Sequence, residues 1–206
     1  IHIPKTAGTS IYHHMTLDSS FRKNPKGHAP ITHPLHLKVI NENKYFSFCF
    51  VRNPFDRFVS TYFYLNSGGV RKQDRNKYMI PFFIPSNGET QGRSGKSDES
   101  FKNFVLNGVE GTDLMKKSDH FKTQKSHIVD DSGKIIVDYI GKFENLNEDW
   151  EHLMDILNDN RLDTLIDGTG LKGKLEKLRS IEHDGYNWYY NDETFKVIKK
   201  MYEEDF

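Results

Sequence analysis

The fold is decided by the first stretch of the chain, Ile1-His2-Ile3-Pro4-Lys5-Thr6-Ala7-Gly8-Thr9-Ser10. The apolar residues 1–3 predict the end of a strand, and a helix is predicted from about residue 9 to residue 17. A second strand is predicted in the nearly continuous apolar run Tyr45–Val51, which is typical of a strand buried on both faces of a parallel sheet. A helix over Phe55–Asn66 follows it. This order of elements predicts an α/β fold with a mainly parallel sheet, in which ligands bind beyond the carboxyl ends of the strands.

The loop between the first strand and the first helix has the composition of an anion site. Gly8 lets the backbone approach a ligand closely, and the helix start presents N–H groups and the positive end of the helix dipole. Lys5 adds a point charge, while Thr6, Thr9 and Ser10 add hydroxyl donors. These features predict a cradle for a phosphate or sulfate. An ordinary strand-to-helix turn with a capping hydroxyl is the alternative.

A second group of polar residues follows the second predicted strand, where Arg52 ends the strand and Ser60 lies in the next helix. A guanidinium fork together with a hydroxyl is well suited to a second phosphate. The alternative for Arg52 is a salt bridge at the strand end. For Arg57 we expect an ion pair with Asp56 or simple solvation.

Shorter signals predict the remaining elements. Pro34–Asn43 is predicted to form a short helix with proline in its first turn, and the glycine-rich stretch 67–100 is predicted to be a long mobile substrate loop. The other predicted elements are a short helix over Phe101–Asn107, a hairpin of 128–130 and 135–140, an amphipathic helix over Leu146–Leu157, and a last helix, capped by Asn191 or Asp192, that runs to about Tyr202.

Composition narrows the class of protein. A chain of 206 residues predicts a single domain, with two small domains as the alternative. Its 15 Phe, 10 Tyr and 2 Trp exclude a disordered chain despite a mean hydropathy of −0.72. The single cysteine excludes an intrachain disulfide framework and a cysteine-rich zinc site. Residues 1–80 carry 12 basic and 4 acidic side chains, whereas the rest carry 17 and 25. The basic half suggests an anionic ligand, although two solvated faces of one domain would give the same pattern.

The state of the chain termini and the cellular compartment are inferred from minor features of the sequence. The chain begins with Ile1 rather than Met, and we expect both ends to be truncated. No apolar run reaches about 18 residues, so no transmembrane segment is expected. No Asn-x-Ser/Thr acceptor occurs, and a cytoplasmic setting is therefore favoured over the Golgi lumen. The oligomeric state stays open.

Two of these stretches resemble motifs of one enzyme family. Residues 2–10 resemble the 5′-phosphosulfate loop of sulfotransferases that use 3′-phosphoadenosine 5′-phosphosulfate (PAPS), and residues 51–60 resemble their 3′-phosphate motif. Further matches lie at 136–146, 189–193 and 202–206. The similarity is to the carbohydrate branch, which includes heparan 2-O- and chondroitin sulfotransferases and bacterial relatives. It implies a P-loop-like three-layer sandwich, with a mainly parallel central sheet flanked by helices.

The resemblance implies a role for each motif residue. Lys5 would contact the transferring sulfuryl group and the bridging oxygen. The 5′-phosphate would be held by Thr6, Ala7, Gly8, Thr9 and Ser10, partly through backbone N–H groups. Arg52 and Ser60 would hold the 3′-phosphate. The donor would be PAPS, the product adenosine 3′,5′-bisphosphate, and the acceptor a hydroxyl of a carbohydrate or glycoconjugate.

A base for the acceptor hydroxyl is the third element. Proton removal near neutral pH suits histidine, and the nearby candidates are His28, His33 and His36. Gly27-His28 resembles the Gly-His segment that carries the catalytic histidine in the 2-O branch, so His28 is the favoured base. His120 and Gln124 lie in a stretch that resembles a family segment near the acceptor, and with His33 they are candidate substrate residues. Surface positions are expected for His127, His152 and His183.

Two other functions stay open at this point. An ATP-dependent kinase of P-loop-like fold would have no use for the 3′-phosphate pair Arg52 and Ser60. The stretch 90–97 nearly spells a Walker A loop, but it has Thr90 where glycine is required and lacks a preceding strand. A catalytically inactive glycan- or nucleotide-binding domain is the other rival, against which Lys5 and His28 argue. We expect no metal, because no His/Asp/Glu pair at helical spacing lies beside the cradle. No nucleic-acid partner is expected either.

Overall fold

The computed structural model describes residues 1–15, 27–43, 46–66, 98–109, 118–158, 175 and 183–206. The chain forms two compact units, Ile1–Asn53 with Gln124–Ser180 and Pro54–Thr123 with Ile181–Phe206. The described strands are β1 (Phe48–Val51) and β2 (Tyr139–Lys142). The described α-helices are α1 (Gly8–Met15), α2 (Pro34–Asn43), α3 (Pro54–Asn66), α4 (Asp98–Asn103), α5 (Leu146–Asn158) and α6 (Asp192–Met201). None of these helices is long and apolar enough to cross a membrane.

The first unit contains a parallel pair of strands. β1 and β2 pair in register from Phe48 opposite Tyr139 to Val51 opposite Lys142. β1 begins at Phe48, later than predicted, because the preceding residue bonds to a side chain. The N–H and the hydroxyl of Ser47 donate to Asp138 Oδ2 at 2.7 and 2.6 Å. A mixed α/β structure with a parallel sheet is thus confirmed, while the three-layer sandwich remains a prediction.

An amphipathic helix covers part of this unit. α5 buries Trp150, Leu153, Met154 and Leu157, which recur at the three- and four-residue spacing of one helix face. Together with apolar residues of α1 and β1 they form one hydrophobic cluster. The predicted helix over 146–157 is confirmed, as is the helix over 34–43 with Pro34 in its first turn.

A second core lies in the other unit. α3 contributes buried residues along one face, namely Phe55, Phe58, Val59, Tyr62 and Leu65, and aromatic residues of α4 and of the C-terminal segment pack against them. Asn191, rather than Asp192, caps α6: its side chain accepts from the N–H groups of Glu193 and Thr194, and Thr194 completes a capping box. The predictions of helices over 55–66 and up to about residue 202 are confirmed.

Several boundaries differ from the sequence-based expectations. Residues 1–3 do not form a regular strand, although the Ile1 nitrogen donates to the Phe48 carbonyl of β1. The helix predicted over 101–107 is α4 followed by a π-helix, Phe104–Val109, whose wider turn places Phe104, Val105 and Val109 on one buried side. Residues 98–100 belong to α4, so the predicted loop of 67–100 ends earlier. Its other residues, which include the stretch 90–97, lie outside the described residues.

The predicted hairpin is confirmed only at its tip. Asp130 Oδ1 accepts from the N–H groups of Ser132 and Lys134, and Gly133 adopts φ +81°, which glycine tolerates. A single antiparallel bridge joins Val129 to Ile135. The prediction of a hairpin strand up to residue 140 was wrong, because residues 139–142 pair with β1 as β2 instead.

Candidate functional site

The loop from Lys5 to Gly8 has an unusual backbone. Lys5 and Ala7 adopt φ values of 69° and 67°, in the left-handed region that non-glycine residues seldom enter. Each such residue costs about 1–2 kcal/mol. The Thr6 hydroxyl, which is buried, donates to the Ile3 carbonyl at 2.9 Å and fixes the centre of the loop. Strain of this kind is concentrated at ligand-binding loops, which favours the cradle over an ordinary turn.

Gly8 is required by packing as well as by the loop. A Cβ at Gly8 would lie 2.1 Å from two ring atoms of His2. The absence of a side chain therefore lets the His2 ring close over the loop at the start of α1. His2 was missed by the sequence analysis, because nothing local to it indicates that its ring packs on a glycine six residues later.

His28 lies beside the same loop. Its Nδ1 is 3.2 Å from the His2 carbonyl oxygen, and the rings of His2 and His28 meet edge-on with centroids 4.3 Å apart. A carbonyl can only accept, so Nδ1 carries the proton of this hydrogen bond. In the neutral ring, Nε2 is then the basic nitrogen. The structure thus brings the predicted base and the predicted cradle together.

Arg52 reaches the loop from the end of β1. Its side chain is 9% exposed, and its Nη1 donates to the Lys5 carbonyl at 3.2 Å. The guanidinium carbon lies 4.1 Å from the centroid of the Phe143 ring, a cation–π contact. Asn53, the residue after Arg52, bonds to the neighbour of Phe143: Glu144 Oε1 accepts from the Asn53 N–H at 2.5 Å. Arg52 is therefore braced from two sides within the first unit.

The local charge is positive. Burial, and secondly the like charge of Arg52, lower the pKa of Lys5 to about 8. An anion beside both cations would offset the repulsion between them. Lys5 on the strained loop and Arg52 at the end of β1 thus form a candidate anion-binding site.

The other predicted site residues are distributed as follows. Thr9 and Ser10 lie in the first turn of α1, next to the loop. His33 precedes α2, and its Nδ1 accepts from the Leu35 N–H at 3.3 Å, as a helix-capping group does. His36 is 3% exposed, its Nδ1 donates to the Pro30 carbonyl, and burial lowers its pKa, which makes it a poor base.

Two predicted residues belong to the second unit. Ser60 lies in α3 and is 6% exposed. His120 stacks on the Tyr64 ring with a centroid distance of 5.3 Å. Gln124, in the first unit, hydrogen-bonds to the backbone of Arg52 through both ends of its carboxamide.

Two expectations about burial were wrong. His127, expected at the surface, is 0% exposed, and its carbonyl accepts from the Ile31 N–H at 2.8 Å. Arg57 is 1% exposed rather than solvated, because its Nη2 donates to the Lys122 carbonyl at 2.6 Å and its guanidinium lies over the Tyr202 ring. Within the described ranges, no group of three or more His, Cys, Asp or Glu residues is arranged to hold a metal ion.

Comparison with known proteins identifies the family. The model of the sulfotransferase family matches residues 1–206, which is the whole chain. No curated protein and no solved structure matches this chain. The matched range includes the strained loop, His28 and Arg52. The chain therefore belongs to the sulfotransferase family.

Proposed function

We propose that the chain transfers a sulfuryl group from PAPS to a hydroxyl of a carbohydrate or glycoconjugate. The observation that carries this proposal is the convergence of Lys5 and Arg52 on one strained loop, where Arg52 Nη1 donates to the Lys5 carbonyl. Two cations at such a loop suit a ligand with more than one anionic group.

The residues of the loop fit the donor. Lys5 and the backbone N–H groups of residues 6–10 would hold the 5′-phosphate, and Arg52 the 3′-phosphate. The Thr6 hydroxyl already donates to Ile3, so Thr6 would contribute its N–H rather than its hydroxyl. The role of Ser60 rests on the sequence motif alone. When bound, the donor supplies an activated sulfuryl group with adenosine 3′,5′-bisphosphate as the leaving group.

Two residues of the chain would accept the proton of the acceptor hydroxyl and stabilise the charge on the leaving oxygen. His28 Nε2 would accept the proton of the acceptor hydroxyl, because the His2 carbonyl holds the other ring proton on Nδ1. Lys5 would stabilise the negative charge that grows on the leaving oxygen. This arrangement favours an active enzyme over an inactive binding domain.

The first prediction separates this donor from ATP. Adenosine 3′,5′-bisphosphate should raise the melting temperature markedly, because a ligand that binds only the native state stabilises it. ADP should raise it much less, since it offers Arg52 no 3′-phosphate. Thermal shift at equal ligand concentrations checks this. Equal shifts from the two nucleotides would sink the PAPS assignment and favour the kinase.

The second prediction concerns pH. Lys5, with a pKa of about 8, is mostly protonated at about pH 7 and loses its charge as the pH rises through about 8. Affinity for adenosine 3′,5′-bisphosphate should therefore fall by up to about tenfold between about pH 7 and pH 9. Lys5→Arg, which stays protonated, should flatten this profile. Calorimetry at several pH values measures it, and a flat wild-type profile would exclude Lys5 from the phosphate site.

The pH dependence that Lys5 gives to folding stability is opposite in sign to the one it gives to ligand binding. The unfolded state keeps the Lys5 proton up to about pH 10.5, whereas the folded state releases it from about pH 8. Between these values the unfolded state binds more protons, so the contribution of Lys5 to the free energy of unfolding rises with pH. Weaker ligand binding at high pH therefore cannot be ascribed to loss of the fold through Lys5.

A further inference from the structure

We propose that Gln124 is a positioning residue, which holds the backbone of Arg52 as a neighbouring strand would and so aims its guanidinium. The proposal rests on the assignment of Arg52 to the 3′-phosphate made above. Gln124 would act through Arg52 rather than touch the acceptor.

The carboxamide forms a two-point contact with one residue. Gln124 Oε1 accepts from the Arg52 N–H at 2.8 Å, and Gln124 Nε2 donates to the Arg52 carbonyl at 2.7 Å. In antiparallel strands, the two residues of a hydrogen-bonded pair exchange two bonds in the same way. Gln124 is 3% exposed, so both bonds are shielded from water.

The contact begins where the strand pairing stops. The register of β1 with β2 ends at Val51 opposite Lys142, and Arg52 is the next residue. A buried N–H or carbonyl left without a partner is costly, because it has lost its hydrogen bonds to water. Gln124 gives both backbone groups of Arg52 a partner at the position from which the Arg52 side chain departs.

Gln124 is itself held in place. It precedes the short 3₁₀ helix Lys125–His127, and its carbonyl accepts from the His127 N–H at 3.0 Å. His127 is fully buried and bonds through its carbonyl to Ile31. The buried histidine that the sequence placed at the surface thus anchors the turn that carries Gln124.

The consequence lies in the direction of the guanidinium. With the backbone of Arg52 fixed at both N–H and carbonyl, its side chain leaves β1 toward the Lys5 carbonyl and the Phe143 ring. A freed backbone would let the guanidinium leave this orientation, and preorganisation of a charged contact governs its contribution to binding. Loss of Gln124 should therefore weaken recognition of the 3′-phosphate specifically.

The test uses Gln124→Met, which keeps the length of the side chain and removes both hydrogen bonds. The preference for adenosine 3′,5′-bisphosphate over adenosine 5′-monophosphate, measured by calorimetry, should fall about tenfold. Amide hydrogen exchange without nucleotide should show loss of protection at Arg52. Asp138→Ala is the matched control: it removes two bonds at the other end of β1 and should leave the preference unchanged.

Each other outcome is informative. An unchanged preference, an Arg52 amide that stays protected, or an effect confined to the acceptor KM would overturn the proposal. If wild-type protein shows no preference for the bisphosphate, the proposed donor fails, and amide exchange alone decides whether Gln124 fixes Arg52. Should Gln124→Met not fold, Gln124→Asn keeps the carboxamide on a side chain that is one methylene shorter and cannot reach both backbone groups of Arg52 at once. That variant should then lose the preference, and an unchanged preference would overturn the proposal.

Discussion

His28→Ala should cut turnover at least ~10²-fold and leave the affinity for adenosine 3′,5′-bisphosphate nearly unchanged, because general-base assistance is typically worth ~10²–10⁴-fold. In the proposed mechanism Nε2 of the imidazole accepts the acceptor proton, whereas Nδ1 is engaged by the His2 carbonyl. The loss should therefore appear in kcat rather than in donor binding. Turnover is measured with PAPS and a panel of glycosaminoglycans and bacterial polysaccharides, and nucleotide affinity by calorimetry.

Control variants separate the base from other histidines. His13→Ala changes an exposed residue of α1 and should retain turnover. His33→Ala removes the bond to the Leu35 N–H at the start of α2 and should lower stability only slightly, with little effect on turnover. If His33→Ala or His120→Ala abolishes turnover while His28→Ala keeps it, the base is misassigned and the enzyme class stands. If no histidine variant matters, a carboxylate removes the proton or no side chain is needed.

Local signals in the sequence were sufficient for much of the fold. The apolar periodicity of α5, the proline at the start of α2 and the buried face of α3 each involve residues within a few positions of one another. The hydroxyl, glycine and cationic residues of the first loop likewise predict an anion site there, and the structure shows a strained backbone at that loop. Such features depend on the chain's local geometry, which neighbouring residues largely determine.

The remaining features depend on contacts between distant residues. β2 lies 91 residues after its partner Phe48 in β1, and nothing in the apolar stretch 135–140 distinguished an antiparallel hairpin from parallel pairing with β1. The burial of His127 and Arg57 could not be read either, because it depends on contacts with distant segments: the His127 carbonyl accepts from the Ile31 N–H, and the Arg57 guanidinium donates to the Lys122 carbonyl. Gln124 was assigned to the acceptor by resemblance, whereas its hydrogen bonds to Arg52 become apparent only in three dimensions.

Arg52→Ala should weaken binding of adenosine 3′,5′-bisphosphate by about 2–4 kcal/mol, which corresponds to roughly 30- to 1,000-fold in Kd. Binding of adenosine 5′-monophosphate should change much less, because it lacks the group that the guanidinium would hold. The bonds of Gln124 to the backbone of residue 52 remain possible in this variant, so the end of β1 should stay in place. Calorimetry with the two nucleotides measures the difference.

Arg57→Ala is the matched control for Arg52→Ala, because both variants delete a buried guanidinium. Arg57 donates to the carbonyls of His120 and Lys122, and each carbonyl left without a partner costs about 1–3 kcal/mol. Arg57→Ala should therefore lower the melting temperature while the preference for the bisphosphate persists. Arg52→Ala should show the reverse. If each variant loses both thermal stability and the preference for the bisphosphate, Arg52 is a structural residue at the strand end. Recognition of a 3′-phosphate must then be sought elsewhere in the chain.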